Sequence, residues 1–143
     1  MKKRLHIRMA VTQNQFTKRV LEHAKKIGLL PGQPKILEYL ADHNVCTQTE
    51  LCRAWNLEKS TVSGLVERMK RDRLITVTHD EDNQRINLIQ MTESGRLKWK
   101  QMKGCIEEMD TAAFRGITKE DQEVFFEILG RIYNNMKAED NQA

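Results

Sequence analysis

Several features are scarce or absent in this sequence of 143 residues, and each absence excludes a class of protein. Only two prolines and seven glycines occur, so we expect no disordered tract beyond the ends. No run of about 18 apolar residues exists, which argues against a membrane-spanning helix. The basic residues 1–4 lead into no apolar core of the kind found in signal peptides. We therefore expect a cytoplasmic protein without a membrane partner.

Sequence patterns typical of metal sites or of disulfide bonds are also missing. The three cysteines are odd in number and match no CxxC spacing, which is typical of reduced thiols in a reducing compartment; they are Cys46, Cys52 and Cys105. The four histidines are scattered, with no His-x-x-x-His pattern on any predicted helix. The sequence predicts no metal site and no cofactor.

Motifs of enzyme active sites are absent as well. We find no glycine-rich phosphate loop, no nucleophile elbow and no pair of carboxylates set in an apolar stretch. The sequence therefore predicts a protein that is not an enzyme.

The charge of the chain does not by itself identify a partner. The net charge is +4, and the strongest basic bias lies in residues 1–30, with eight basic side chains and one acidic. Residues 47–91 carry seven of each sign. Because the basic bias lies outside the segment that carries the motifs below, charge alone does not predict nucleic-acid binding.

Hydrophobic periodicity predicts a single domain over residues 1–143 with the order α-α-α-α-β-β-α-α. Thr47 and Glu50 have the spacing of a capping box that opens a short helix. After a four-residue turn, Ser60 is predicted to cap the next helix. The period then changes from 3.6 to 2, so residues 74–79 and 86–91 are predicted to form a β-hairpin with a charged tip. The expected fold is mainly α with a two-stranded β wing.

The helix after the turn carries an unusual exposed face. Its apolar stripe is predicted to be core and consists of Val62, Leu65, Val66 and Met69. The opposite face carries a glycine and small hydroxyl residues, although an exposed glycine costs a helix about 1 kcal/mol relative to alanine. Two short helices followed by a hairpin form a winged helix-turn-helix, whose second helix enters the major groove of DNA. Small side chains would allow the backbone to approach the groove floor.

This arrangement predicts a set of DNA-binding residues. Hydroxyl groups near the helix start can bond base edges or phosphates, and a later arginine can reach a phosphate or a guanine. We expect Glu67 to orient Arg68 or Arg71 rather than to contact DNA. The predicted DNA-binding residues are Lys59, Ser60, Thr61, Ser63, Gly64, Arg68, Arg71 and, on the hairpin tip, Arg85.

Arg85 is predicted to enter a narrow A·T-rich minor groove, where the negative potential is enhanced. Three carboxylates nearby, Asp80, Glu81 and Asp82, would oppose the approach of DNA. We therefore expect at least one of them to pair with the arginine.

Residues 30–97 resemble the MarR family of transcriptional regulators. The stretches that carry the resemblance are residues 30–37, 49–51, 59–69, 74–75, 83–85 and 91–95. Two positions depart from the family pattern: Asn83 stands where the family often has aspartate, and Arg73 stands where it often has glycine. Arg73 must therefore adopt a left-handed conformation or a different turn.

The resemblance implies a homodimer that binds a near-palindromic operator and represses until a small-molecule effector releases it. It implies a DNA-binding lobe over residues 33–91 and dimerisation helices over residues 5–28 and 92–137. The last predicted helix also carries more apolar surface than one small domain needs, which dimerisation would bury.

Two alternatives remain open. A thiol-based redox-sensing regulator is one, because oxidation of Cys46 or Cys52 would strain the helix-turn-helix; against it, most cysteines are packing residues. A winged-helix module that binds a protein partner is the other, and the balanced charge of residues 47–91 favours it.

Overall fold

The computed structural model describes residues 4–142, which form six helices and three strands. The helices are α1 (Leu5–Lys26), α2 (Gln33–His43), α3 (Gln48–Trp55), α4 (Lys59–Arg71), α5 (Glu93–Ala113) and α6 (Lys119–Gln142); the strands are β1 (Val45–Cys46), β2 (Ile75–His79) and β3 (Asn87–Met91). The predicted mainly α fold with a β wing is confirmed.

Within the described residues, no helix is both long and apolar enough to cross a membrane. The chain forms two compact units, one up to Glu107 and one from Glu108.

The core of the first unit lies between helices α2, α3 and α4 and the sheet. Of the predicted α4 stripe, Val62, Val66 and Met69 are fully buried, whereas Leu65 is half-buried and packs against the edge of the core beside Gly32. Burial of each such side chain stabilises the fold by about 1.5–3 kcal/mol. The largest buried apolar side chains from the other elements are Ile36, Leu37, Leu40, Leu51, Ile75, Ile89 and Met102.

The start of α3 is a capping box, as predicted. The backbone N–H of Glu50 donates to Thr47 Oγ1 at 3.2 Å, and the Thr47 N–H donates to Glu50 Oε2 at 3.3 Å. The start of α4 differs from the prediction, because Glu58 is its N-cap and Ser60 lies inside the first turn. Asn56 adopts a left-handed conformation, which ends α3 at Trp55. The N-cap of α4 is therefore Glu58, two residues before the predicted Ser60.

The sheet has three strands in the order β1-β3-β2, whereas a two-stranded wing was predicted. Strands β2 and β3 pair antiparallel from Ile75↔Met91 to His79↔Asn87, as expected for the hairpin. Strand β1 adds only Val45↔Gln90 and Cys46↔Ile89. Two residues are too few to show an alternating pattern, so only the tertiary placement of β1 beside β3 reveals it.

The junction between the wing and α5 depends on Thr92. Its hydroxyl donates to the Arg73 carbonyl at 2.7 Å and accepts from the Gly95 N–H at 3.0 Å, so Thr92 caps the start of α5. Arg73 is left-handed with φ 61°, the first of the two conformations expected. The backbone here is so close that a Cβ on Gly95 would lie 2.2 Å from the Leu74 carbonyl oxygen.

The second unit consists of the end of α5, a turn and α6. Gly116 lies in the turn after α5 with φ 78°, and Thr118 Oγ1 accepts the Asp121 N–H at 3.1 Å at the start of α6. Helix α6 buries none of its residues, and its exposed large apolar side chains are Val124, Phe125, Phe126, Ile128, Tyr133 and Met136. This surface is available for association with another molecule.

We expect Gly95→Ala to lower the free energy of unfolding by about 1–3 kcal/mol, because the added methyl must displace backbone atoms. Gly104→Ala in the same helix is the matched control: its Cβ would meet nothing within 4 Å, so a gain of up to about 1 kcal/mol is expected. Urea unfolding of both variants measures the difference. Equal stabilities would contradict the close contact at Leu74.

Candidate nucleic-acid interface

Helix α4 presents two chemically different faces. One face is buried in the core, while Lys59, Ser60, Thr61, Gly64 and Arg71 are exposed on the other, next to the half-buried Ser63. A Cβ built on Gly64 would meet nothing within 4 Å. Packing within the described chain therefore does not require a glycine at this position. The small residues leave a low, open surface that another molecule can approach closely.

The first turn of α4 adds positive potential to this surface. The N-cap residue Glu58 makes no side-chain cap hydrogen bond, and no acidic residue lies in the first turn. The backbone N–H groups and the positive end of the helix dipole are thus available beside Lys59 and Ser60. Such a helix end suits an anion such as a phosphate group.

Arg68 is paired with a residue that the sequence analysis did not identify. Its Nε donates to Asp72 Oδ2 at 3.1 Å. The prediction that Glu67 orients Arg68 or Arg71 is wrong: Arg68 pairs with Asp72, four residues along the same helix face, and no ion pair of the described residues joins Glu67 to Arg71. The side chains of Arg68 and Asp72 are 52% and 35% solvent-exposed, so their ion pair contributes less than about 1 kcal/mol to stability. A phosphate group of DNA can therefore replace Asp72 as the partner of Arg68.

The wing tip also differs from the prediction. No ion pair within residues 4–142 joins Arg85 to a carboxylate. Asp80 instead accepts two hydrogen bonds from backbone N–H groups of the tip, and its side chain is thereby occupied. Arg85 itself is exposed. Seven of the eight predicted DNA-binding residues thus share α4, and the eighth lies on the wing loop.

A cavity of about 540 Å³ in the first unit was not predicted from the sequence. It is lined by residues from the end of α2, from β3 and from α5: Leu40, Ala41, Asp42, Asn44, Gln90, Met91, Arg96, Trp99, Lys100 and Lys103. The four α5 residues have the spacing i, i+3, i+4, i+7, which could have indicated a shared face. Three cations, one carboxylate and an indole ring suit an organic anion with a flat apolar part.

Cys46, one of the two cysteines named for redox sensing, does not form a reactive thiol site. None of the three cysteines, all within the described residues, forms a disulfide. Cys46 is buried; desolvation, followed by the charge of Glu50, raises its pKa to about 12. A thiol with so high a pKa is a poor nucleophile at neutral pH. No metal-binding cluster of His, Cys, Asp or Glu occurs within residues 4–142.

The sequence of this chain is similar to those of known proteins. Residues 27–86 match the sequence model of the MarR family. The HTH-type transcriptional repressor YetL of Bacillus subtilis is 27% identical in an alignment of length 112. This alignment covers 76% of this chain and 66% of YetL, just under two thirds of that protein.

Solved structures show the same fold. A MarR family regulator from Listeria monocytogenes, complexed with 26mer DNA, has a TM-score of 0.90 at 19% identity and covers 97% of this chain and 92% of its own. Bordetella bronchiseptica BpsR, whose DNA binding is regulated by 6-hydroxynicotinic acid, has a TM-score of 0.82 at 20% identity over 93% of this chain and 95% of its own. These likenesses establish the fold.

We expect Cys46 to resist alkylation in the native protein, because a pKa raised from 9.0 to about 12 lowers its thiolate fraction about a thousandfold at pH 8. Burial disfavours the charged thiolate of Cys46, so this thiolate forms only as the pH approaches 12. Iodoacetamide labelling followed by peptide mass spectrometry measures the rate, with urea-unfolded protein as control. Equal rates in both states would restore the redox-sensing alternative.

Proposed function

We propose that this chain is a transcriptional regulator of the MarR family, whose sequence model matches residues 27–86, and that it binds double-stranded DNA sequence-specifically and acts as a repressor. The observation that carries the proposal is the open face of α4, where a glycine that packing does not need lies among small hydroxyl residues. DNA is a surface that such a face fits, because the major groove admits a helix whose backbone comes close.

Each predicted DNA-binding residue has a role in this proposal. Lys59 and the first-turn N–H groups of α4 bind phosphate, while Ser60, Thr61 and Ser63 bond base edges or phosphates. Gly64 permits close approach. Arg68 and Arg71, further along α4, reach phosphates or a guanine, and Arg85 enters the minor groove from the wing.

We further propose that the protein acts as a homodimer in the cytoplasm. Residues 33–91 form the DNA-binding lobe, and residues 5–28 and 92–137 form the dimerisation helices. The exposed apolar side chains of α6 support this, as do those of α1, which are Leu5, Met9, Val11 and Leu21. Two-fold symmetry then requires a near-palindromic operator whose half-sites lie about one helical turn apart.

The cavity beside α5 is proposed as the site of a small-molecule effector. Its three cations can hold an anionic group, and Trp99 can cover a flat ring. The cavity lies between the DNA-binding lobe and the start of α5, so a ligand that favours one orientation of the lobe changes DNA affinity. Selection of genomic fragments with and without organic anions tests this role.

One other function is supported by a specific observation. Residues 47–91 carry seven basic and seven acidic side chains, a balance that also suits a winged-helix module with a protein partner. The two functions differ in their dependence on salt. Phosphate contacts release counterions, whereas a near-neutral protein interface does not.

We expect the affinity for an operator fragment, selected from genomic DNA, to fall about a thousandfold or more between 50 and 200 mM salt if the dimer makes at least six phosphate contacts. Fluorescence anisotropy at several salt concentrations measures the slope. A chain that prefers no duplex fragment even at low ionic strength would favour the protein-binding module.

We expect Gly64→Leu to abolish operator binding while it leaves stability unchanged or raised by up to about 1 kcal/mol, since leucine is the better helix former. The leucine would extend into open space in the free protein and into the groove floor in the complex. Anisotropy measures operator affinity, and urea unfolding measures stability. Normal DNA binding by Gly64→Leu would show that α4 does not lie against the groove.

A further inference from the structure

The wing tip is built on a short ladder of hydrogen bonds that starts at Asp80. Strands β2 and β3 end with the pair His79↔Asn87, and residues 80–86 form the tip between them. The Asp80 N–H donates to the Ile86 carbonyl at 3.0 Å, which closes the base of the tip. The tip is therefore anchored at both ends before any side chain contributes.

The carboxylate of Asp80 holds the first half of the tip. Its Oδ1 accepts the N–H of Asp82 at 2.8 Å and the N–H of Asn83 at 3.3 Å. Asp80 is half-buried, whereas Glu81 and Asp82 are exposed. Charge-assisted bonds of this kind to backbone N–H groups define the local backbone conformation.

Asn83 continues the ladder to the arginine. Its Oδ1 accepts the Arg85 N–H at 3.1 Å, and its carbonyl accepts the Ile86 N–H at 3.0 Å. Asp80 thus fixes the backbone at Asn83, and Asn83 fixes the backbone at Arg85. No carboxylate of the described chain forms an ion pair with the Arg85 guanidinium, which is exposed.

We propose that Asp80 is a positioning residue for DNA binding: it preorganises the wing tip so that Arg85 meets the minor groove without ordering the loop on binding. This inference rests on the proposed function as a DNA-binding regulator. A tip that is already ordered loses less conformational freedom in the complex, and preorganisation of this kind raises affinity. Asp80 acts through Asn83 and does not itself contact DNA.

The negative charge of Asp80, considered alone, predicts the opposite change in DNA affinity. Measurement of Asp80→Ala therefore distinguishes preorganisation from charge repulsion. A carboxylate near phosphates repels DNA, so removal of its charge should strengthen binding. Asp82→Ala removes an equal charge two residues away, and the Asp82 side chain accepts no hydrogen bond in the tip. We expect Asp82→Ala to bind DNA as tightly as the unchanged protein or more tightly, and Asp80→Ala to bind about tenfold more weakly.

Three further variants complete the design, all measured by anisotropy on a fragment with A·T-rich wing sites. Asp80→Asn keeps a side-chain oxygen acceptor and should restore most of the affinity. Arg85→Ala should weaken binding about tenfold or more, at least as much as Asp80→Ala. In the Arg85→Ala background, Asp80→Ala should cause no further loss, because its effect passes through the arginine.

Hydrogen exchange separates a local effect from unfolding. In Asp80→Ala we expect faster exchange at the N–H groups of Asp82, Asn83 and Arg85, and unchanged exchange in the core strand β3. Tighter DNA binding by Asp80→Ala would overturn the inference, as would a loss that persists in the Arg85→Ala background or a failure of Asp80→Asn to restore affinity. Absence of duplex binding by the unchanged protein would instead overturn the proposed function.

Discussion

Burial of one stripe of α4 is the contact on which the rest of the structure depends. Val62, Val66 and Met69 pack into the core against α2, α3 and the sheet, and this burial determines which face of α4 remains outside. Because the side chains of a helix project around its whole circumference, fixing one face fixes the opposite one. The glycine-bearing surface is therefore held on a rigid element and is not carried by a loop.

The wing is attached to this core by the buried side chains of Ile75 and Ile89 and by close contacts at its base. Thr92 bonds both to Arg73 and to Gly95, and Gly95 touches the Leu74 carbonyl so closely that no side chain fits. Strand β1 adds a second attachment through its pairing with β3. The base of the wing is thus rigid, and the tip owes its conformation to Asp80 and Asn83, which suits a loop that must present one arginine.

Much of the architecture could be predicted, since it depends on local patterns. The capping box at Thr47 and the two strands of the β-hairpin follow from residue types at short spacing. The same reasoning failed for the partners of charged side chains. Arg68 pairs with Asp72 and the Asp80 carboxylate bonds to backbone N–H groups, because these choices depend on distances that a sequence does not contain.

Residue types at short spacing were enough to predict the order of the helices and the hairpin, the apolar stripe of α4 and the small residues opposite it, because hydrophobic period and capping act within a few residues. Three properties came only from the folded chain: β1 joins the sheet, residues of α2, β3 and α5 line a common cavity, and Cys46 is buried with a raised pKa. These properties arise where segments distant in the chain meet, and desolvation and strand pairing exist only after that meeting.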